Sequence, residues 1–217
     1  MKRTFFLAGI AFLALAALSQ SGTQAVNITF ADRYAAAAPV GVSGTYNFDK
    51  PHSFIGFKVR HNTLIEVPGF FRDFTGSVTY DANDVTKSTV EFTAKATSVD
   101  TGVAGRDNHL RSKDFFEVEK FPDITFKSTK VEKKGKAWLI TGDFTMKGVT
   151  KSITFPFNIS GFLAATDKAP ARMGITAETK INRRDYGINY GSTAPGGFVA
   201  VADDVSVVLQ IEAPMKK

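Results

Sequence analysis

Apolar and polar residues alternate through most of this chain, and that period of two commits it to strands that bury one face. From Ser88 to Val99, one face carries Val90, Phe92, Ala94 and Ala96, and the other carries Thr89, Glu91, Thr93, Lys95 and Thr97. Lys136 to Lys147 gathers Trp138, Ile140, Phe144 and Met146 in the same way, and Thr150 to Ser160 gathers Ile153, Phe155, Phe157 and Ile159. Ala171 to Asn182 presents Met173, Ile175, Ala177 and Ile181, and Asp204 to Glu212 presents Val205, Val207, Leu209 and Ile211. Ser53 to His61 offers Ile55, Phe57 and Val59, and Asp123 to Val131 offers Ile124 and Phe126. Phe70 to Tyr80 has an ambiguous register.

Turn signals at Asn83-Asp84, Lys134-Gly135, Lys147-Gly148 and Gly196-Gly197 separate about eight such segments, a pattern of antiparallel strands in a sandwich or barrel. No βαβ alternation and no Gly-rich phosphate loop interrupts them. Alternation alone does not separate a sandwich from a barrel, because both bury the inner faces. Closure would remove exposed edges, and eight strands leave room for one ligand. A membrane-spanning barrel is not expected, since its outer face must be apolar and these outer faces are rich in Lys, Glu and Asp.

The interior faces are unusually rich in one residue type. The chain has 20 Phe against 5 Tyr and 1 Trp, and Phe brings no polar group that needs a partner when buried. Such an interior suits a dry core or a hydrocarbon-binding cavity. With no Cys, thiol catalysis, thiolate metal sites and disulfides are all excluded.

At the N-terminus, Lys2 and Arg3 precede an apolar run from Phe5 to Leu18, and Thr23-Gln24-Ala25 ends the stretch. This is the three-part pattern of a cleaved export signal, with residues 1–25 as the signal and Ala35 to Ala38 as a second place for cleavage. Its run of about 14 apolar residues is short of the roughly 20 needed to span a bilayer, so no stable membrane insertion is expected after cleavage. An Ala- and Gly-rich leader follows over 26–43, and one domain of 44–217 remains. The net charge of +6 falls to +4 without Lys2 and Arg3. No block of five like charges occurs, which argues against nucleic acid as a partner.

Between the strands lies a charged, helix-compatible insert. Arg106, Asp107, His109, Arg111, Lys113 and Asp114 fall within nine residues and are followed by Phe115 and Phe116. A polar cluster beside an aromatic pair suits a lid or a cavity mouth. Three roles are open to it. It can pin the insert to the sheet; it can offer charge-assisted donors to a ligand head group; or Asp107 and His109 can act as a hydrolase pair. The last lacks support, since Ser112 has no strand-to-helix nucleophile elbow; no catalytic residue is assigned. The three histidines, His52, His61 and His109, lack zinc-motif spacing, so no metal is assigned either. His52 is read as organising a turn, and Asn182 to Gly187 as a corner where Arg183 or Arg184 pairs with Asp185.

Six stretches in order carry a resemblance. They are Asp49-Lys50-Pro51-His52-Ser53 with Phe57 and His61; Gly69 to Gly76; Thr101-Gly102 with Arg106 to Ser112 and Asp114 to Phe116; Phe121 to Phe126; Phe144 to Lys151; and Ile181 to Ile188. Together they resemble the YceI-like family, with Tyr186 where Phe is common and a longer leader before Tyr46. The resemblance implies a periplasmic, non-enzymatic binding protein with an eight-stranded antiparallel lipocalin-like barrel and a short helical insert. It implies a polyisoprenoid-type lipid, a small-molecule amphiphile, as partner, with no cofactor other than a bound isoprenoid or quinone, and it is compatible with a homodimer. Alternation then assigns Ile55, Phe57, Phe92, Phe126, Ile140, Phe144, Phe155, Phe157 and Ile175 to the lipid tail. The head group falls to Arg106, Asp107, His109 and Arg111. Other amphiphiles, such as a fatty acid, fatty amide or quinone held in stress protection, meet the same apolar requirement.

Overall fold

The computed structural model describes residues 41–191 and 199–216. The export signal, nearly all of the leader and the Gly196-Gly197 turn lie outside the described residues. The strands are β1 (Gly44–Asn47), β2 (Phe54–His61), β3 (Ile65–Phe71), β4 (Phe74–Tyr80), β5 (Thr89–Lys95), β6 (Val99–Asp100), β7 (Asp123–Lys134), β8 (Ala137–Met146), β9 (Val149–Leu163), β10 (Arg172–Asn182) and β11 (Val201–Pro214). One helix, α1 (Ala104–Arg111), sits between β6 and β7. All the strands form a single sheet in the order β1-β4-β5-β7-β8-β9-β10-β11-β2-β3-β6, and every pairing is antiparallel.

The expected closed eight-stranded barrel is not what forms. The sheet has eleven strands and curls through 325° without closing, with its edges 21 Å apart. The cause is local. A 3₁₀ turn at Lys50–His52, carrying Pro51, separates β1 from β2. A bend at Arg72-Asp73 separates β3 from β4, and a 3₁₀ turn at Ala96–Ser98 separates β5 from β6. Backbone bonds from Arg72 N to the Ser98 carbonyl (3.1 Å) and from Lys95 N to the Asp73 carbonyl (2.8 Å) hold the two breaks against each other. Edge strand β1 is fastened to the end of β11 by a Tyr46–Met215 bridge and by Lys216 N donating to the Thr45 carbonyl at 2.7 Å.

The breaks also explain the ambiguous register of Phe70 to Tyr80. Phe71 and Phe74 are both buried, three residues apart, so the inward phase changes at the bend. Bulges do the same in β7, between Ser128 and Lys130, and where β10 meets β9, at Gly174/Ile175. Elsewhere the alternation reads directly as buried and open faces: Ile140, Phe144 and Met146 of β8 point inward, as do Phe155 and Ile159 of β9. Lys147-Gly148 joins β8 to β9 as a two-residue turn with φ of 49° and 74°, the twist that tight hairpins favour. Gly148 is required twice over, since a Cβ there would lie 2.5 Å from the Phe121 ring.

An ion-pair network anchors the first break. Arg172 on β10 bonds Asp49 at 2.7 Å and also Glu212 on β11, while His52 Nδ1 lies 3.0 Å from Asp49. These groups form the kind of cluster that can hold a cation, but the Arg172 guanidinium already supplies the positive charge. The Arg172 hydrogen bond, and after it that of His52, holds the Asp49 carboxyl below its ordinary range. A depressed carboxylate contributes stability above its unfolded pKa of about 3.9 and loses it as pH falls through the folded value. Asp49→Asn is therefore expected to melt lower than wild type at neutral pH. The gap should shrink as pH falls below about 4, which thermal melts across that range will read.

Candidate ligand-binding interior

Two apolar chambers lie inside the curl. The first, about 50 Å³, is lined by residues including Phe48, Tyr80, Phe126, Phe155, Ile175 and Ile211. The second, about 100 Å³, lies under the insert and is lined by residues including Ile55, Phe57, Leu110, Phe115, Phe144 and Ile188. All nine residues assigned to a lipid tail line one chamber or the other. Phe126, Ile140, Phe155, Phe157 and Ile175 face the first chamber, whereas Ile55, Phe57 and Phe144 face the second. Among the described residues, Phe92 alone lines both. Its ring stacks on Phe126 with centroids 5.7 Å apart, and Phe126 meets Phe155 at 5.4 Å. This ladder of rings crosses the interior. Gly142 makes room for it, because a Cβ there would lie 2.5 Å from Phe126.

Neither chamber is large. An apolar cavity of about 150 Å³ stays dry and takes up a ligand the size of benzene. Each chamber, at about 50 and about 100 Å³, is smaller than that. The interior is largely filled by its own Phe side chains.

The insert covers the second chamber with apolar groups and keeps its polar groups for the protein. Leu110, Phe115 and Phe116 line the chamber, and Phe116 meets Phe71 at 5.6 Å. Asp107, 7% exposed, accepts from the backbone N–H of Thr101 at 2.9 Å and from its hydroxyl. Arg106 donates to the Thr101 hydroxyl (2.7 Å) and carbonyl (2.9 Å). Arg111 donates to the carbonyls of Thr97 and Val99, both at 2.7 Å, which ties α1 to β6. His109 pairs with Asp114 at 3.0 Å, and its ring stands edge-on to Phe115 and Tyr190. Of the four residues assigned to a head group, none lines either chamber. Asp107 and His109 bind different partners, so the geometry of a hydrolase pair is not assembled.

The fold is shared with known proteins. The description of a YceI-like domain matches residues 46–213. The chain belongs to the YceI-like family. It is 35% identical to Protein YceI of Escherichia coli O157:H7, over 88% of this chain and 97% of the relative. A crystal structure of the Campylobacter jejuni YCEI protein superposes with a TM-score of 0.63 at 32% identity, covering 78% of this chain and 96% of that one. A polyisoprenoid binding domain from Saccharophagus degradans superposes with a TM-score of 0.60 at 18% identity, covering 79% and 98%. This last likeness is one of fold.

The YceI-like corner after β10 holds a group whose partners the sequence did not reveal. Arg183, 3% exposed, lines the second chamber. It donates to the carbonyls of Ala202 (3.0 Å), Ile188 (2.8 Å) and Val201 (3.0 Å), and pairs with Asp203 at 2.9 Å. Arg184 also reaches Asp203, at 2.7 Å, while Asp185 pairs with Lys151 at 3.1 Å. The expected pairing of either arginine with Asp185 is thus replaced by pairing with Asp203. Apart from Ile188, the partners of Arg183 lie about twenty positions downstream on β11, and the β10–β11 register brings them alongside. Burial pushes the Arg183 guanidinium below its ordinary range, against the pull of Asp203.

Proposed function

We propose that this YceI-like protein is an exported, periplasmic, non-catalytic carrier. It holds the hydrocarbon part of a polyisoprenoid-type lipid, or of another long amphiphile, inside the curled sheet. One observation carries the reading: strands from the whole length of the domain turn their alternating apolar faces onto two chambers whose walls are almost entirely hydrocarbon. Burying each methylene there gains roughly 0.8 kcal/mol, so several isoprene units provide useful affinity without a hydrogen bond. The name of the Saccharophagus domain agrees with this class of ligand. Export through the signal in residues 1–25 places the protein where such lipids must cross water between membranes. Among the described residues, no helix is long and apolar enough to cross a membrane.

The test is native mass spectrometry of the protein purified from periplasm, followed by solvent extraction of what is bound. A stoichiometric lipid of isoprenoid mass is the expected result. A clean unliganded mass, together with no uptake of added isoprenoid or fatty compounds, would overturn the carrier reading.

A further inference from the structure

The apolar lining of the second chamber does not stop where the chamber stops. Along β2 and β3, Ile55, Phe57 and Val59 stand opposite Phe71, Gly69 and Val67, and the next pair in the same phase is His61 and Ile65. Ile55, Phe57, Val59 and Phe71 line the chamber, so Ile65 continues that inward face beyond it. Ile65 is nonetheless 63% exposed, and Leu64 beside it 75%. The turn that presents them is strained, with φ of 50° at Asn62 and 62° at the β-branched Thr63. Asn62 N donates to the Ala200 carbonyl at 3.0 Å, which brings the exposed Val199 to the base of the tip. At the same rim Val201 pairs with His61, and a Cβ at Gly191 would lie 3.7 Å from the Val201 side chain. The preceding Tyr190, also exposed, packs at 4.9 Å on Phe115, which lines the chamber. Single exposed apolar residues are ordinary, whereas a contiguous group marks a contact surface.

We infer that this rim, with Leu64 and Ile65 at its tip, docks reversibly on the surface of a lipid bilayer, where the protein loads and releases its cargo. This rests on the carrier reading and adds where the cargo passes. Two observations select a bilayer as the occupant. The exposed residues continue the face that lines the second chamber, so hydrocarbon covering them is continuous with hydrocarbon inside. The hairpin also carries exposed Lys58, Arg60 and His61 against a single acid, Glu66, a surplus that suits anionic head groups. Buried apolar area and attraction to anionic lipid together set the strength of such a contact, which does not span the membrane.

The experiment is flotation with vesicles of phosphatidylethanolamine and phosphatidylglycerol, and with vesicles of phosphatidylcholine. It compares wild type, the double variant Leu64→Gln with Ile65→Gln, and the double variant Lys58→Gln with Arg60→Gln. Uptake of a phenylnaphthylamine fluorophore from water is measured in parallel. Wild type should float with the anionic vesicles, and the apolar variant should bind them at least about tenfold more weakly. The basic variant should lose about fivefold per charge on anionic vesicles and nothing on phosphatidylcholine. All three should take up the fluorophore alike. Wild type that does not float, or an apolar variant that floats as well as wild type, overturns the inference; fluorophore uptake then leaves the carrier reading standing. Should the apolar variant melt well below wild type, the basic variant decides, and its undiminished flotation overturns the inference. Wild type that self-associates through Leu64 and Ile65 and ignores vesicles overturns it too, assigning the rim to a second copy. No fluorophore uptake by wild type overturns the carrier reading, and the loading role with it, whatever the vesicles show.

Discussion

Phe92→Ala should join the two chambers and shift tail preference toward longer chains. Phe92 is the shared wall, buried and stacked on Phe126. Removing the ring leaves a cavity and should cost about 3–5 kcal/mol of unliganded stability. The same cavity is new room for hydrocarbon. Across a homologous series of isoprenoid alcohols, each additional buried methylene should tighten binding about fourfold in the variant. Wild type must first displace the ring, so its gain should level off at shorter chains. The combined signature is distinctive: a lower melting point without ligand and a larger upward shift with long ligands. Calorimetry of both proteins across the series reads both effects. Parallel length profiles would show that the ring does not divide the interior.

Arg183→Met should be among the most destabilising single changes outside the apolar core. The substitution keeps much of the side-chain volume but strands the carbonyls of Ile188, Val201 and Ala202 without their donor. The Ile188 carbonyl is buried and those of Val201 and Ala202 are half-buried; a buried acceptor left unpaired costs about 1–3 kcal/mol, so a loss of about 2–3 kcal/mol is expected in denaturant melts. Asp203 keeps Arg184 at 2.7 Å and is not left alone. Ligand affinity should fall as well, because Arg183 fixes Ile188 and Val201, which line the second chamber. Arg184→Met, by contrast, removes one half-exposed pair and should cost well under 1 kcal/mol.

Much of this architecture was legible wherever a strand keeps a single phase. The inward residues of β8, of β9 as far as Ile159 and of β10 follow from alternation alone, and all nine residues chosen for the tail line a chamber. Alternation failed where the backbone changes phase. Phe71 and Phe74 both turn inward across the bend at Arg72-Asp73, and no periodic rule anticipates two inward residues three apart. The count of eleven strands has the same origin, because a three-residue 3₁₀ turn such as Ala96–Ser98 interrupts a ladder without interrupting the pattern. The polar sites were harder still. The insert's charges were visible as a cluster, but their acceptors are backbone carbonyls of Thr97, Val99 and Thr101, which carry no signature in residue type. For Arg183 all partners but the Ile188 carbonyl sit on another strand.

The pairing of β11 with β2 has a consequence for how the protein acquires its cargo. Leu209 lies opposite Ile55 and Val207 opposite Phe57, contacts between residues about 150 positions apart. From β7 to β10, each strand instead pairs with its immediate predecessor or successor through short connections. Contacts so distant along the chain are the slow ones to form. β11 also supplies Leu209 and Ile211 to one chamber and Val201, Val205 and Val207 to the other. Hydrocarbon therefore has no enclosed place to go until the last strand has docked. Both chambers are therefore late products of folding, and until β11 docks the apolar faces that will enclose them stay open to water.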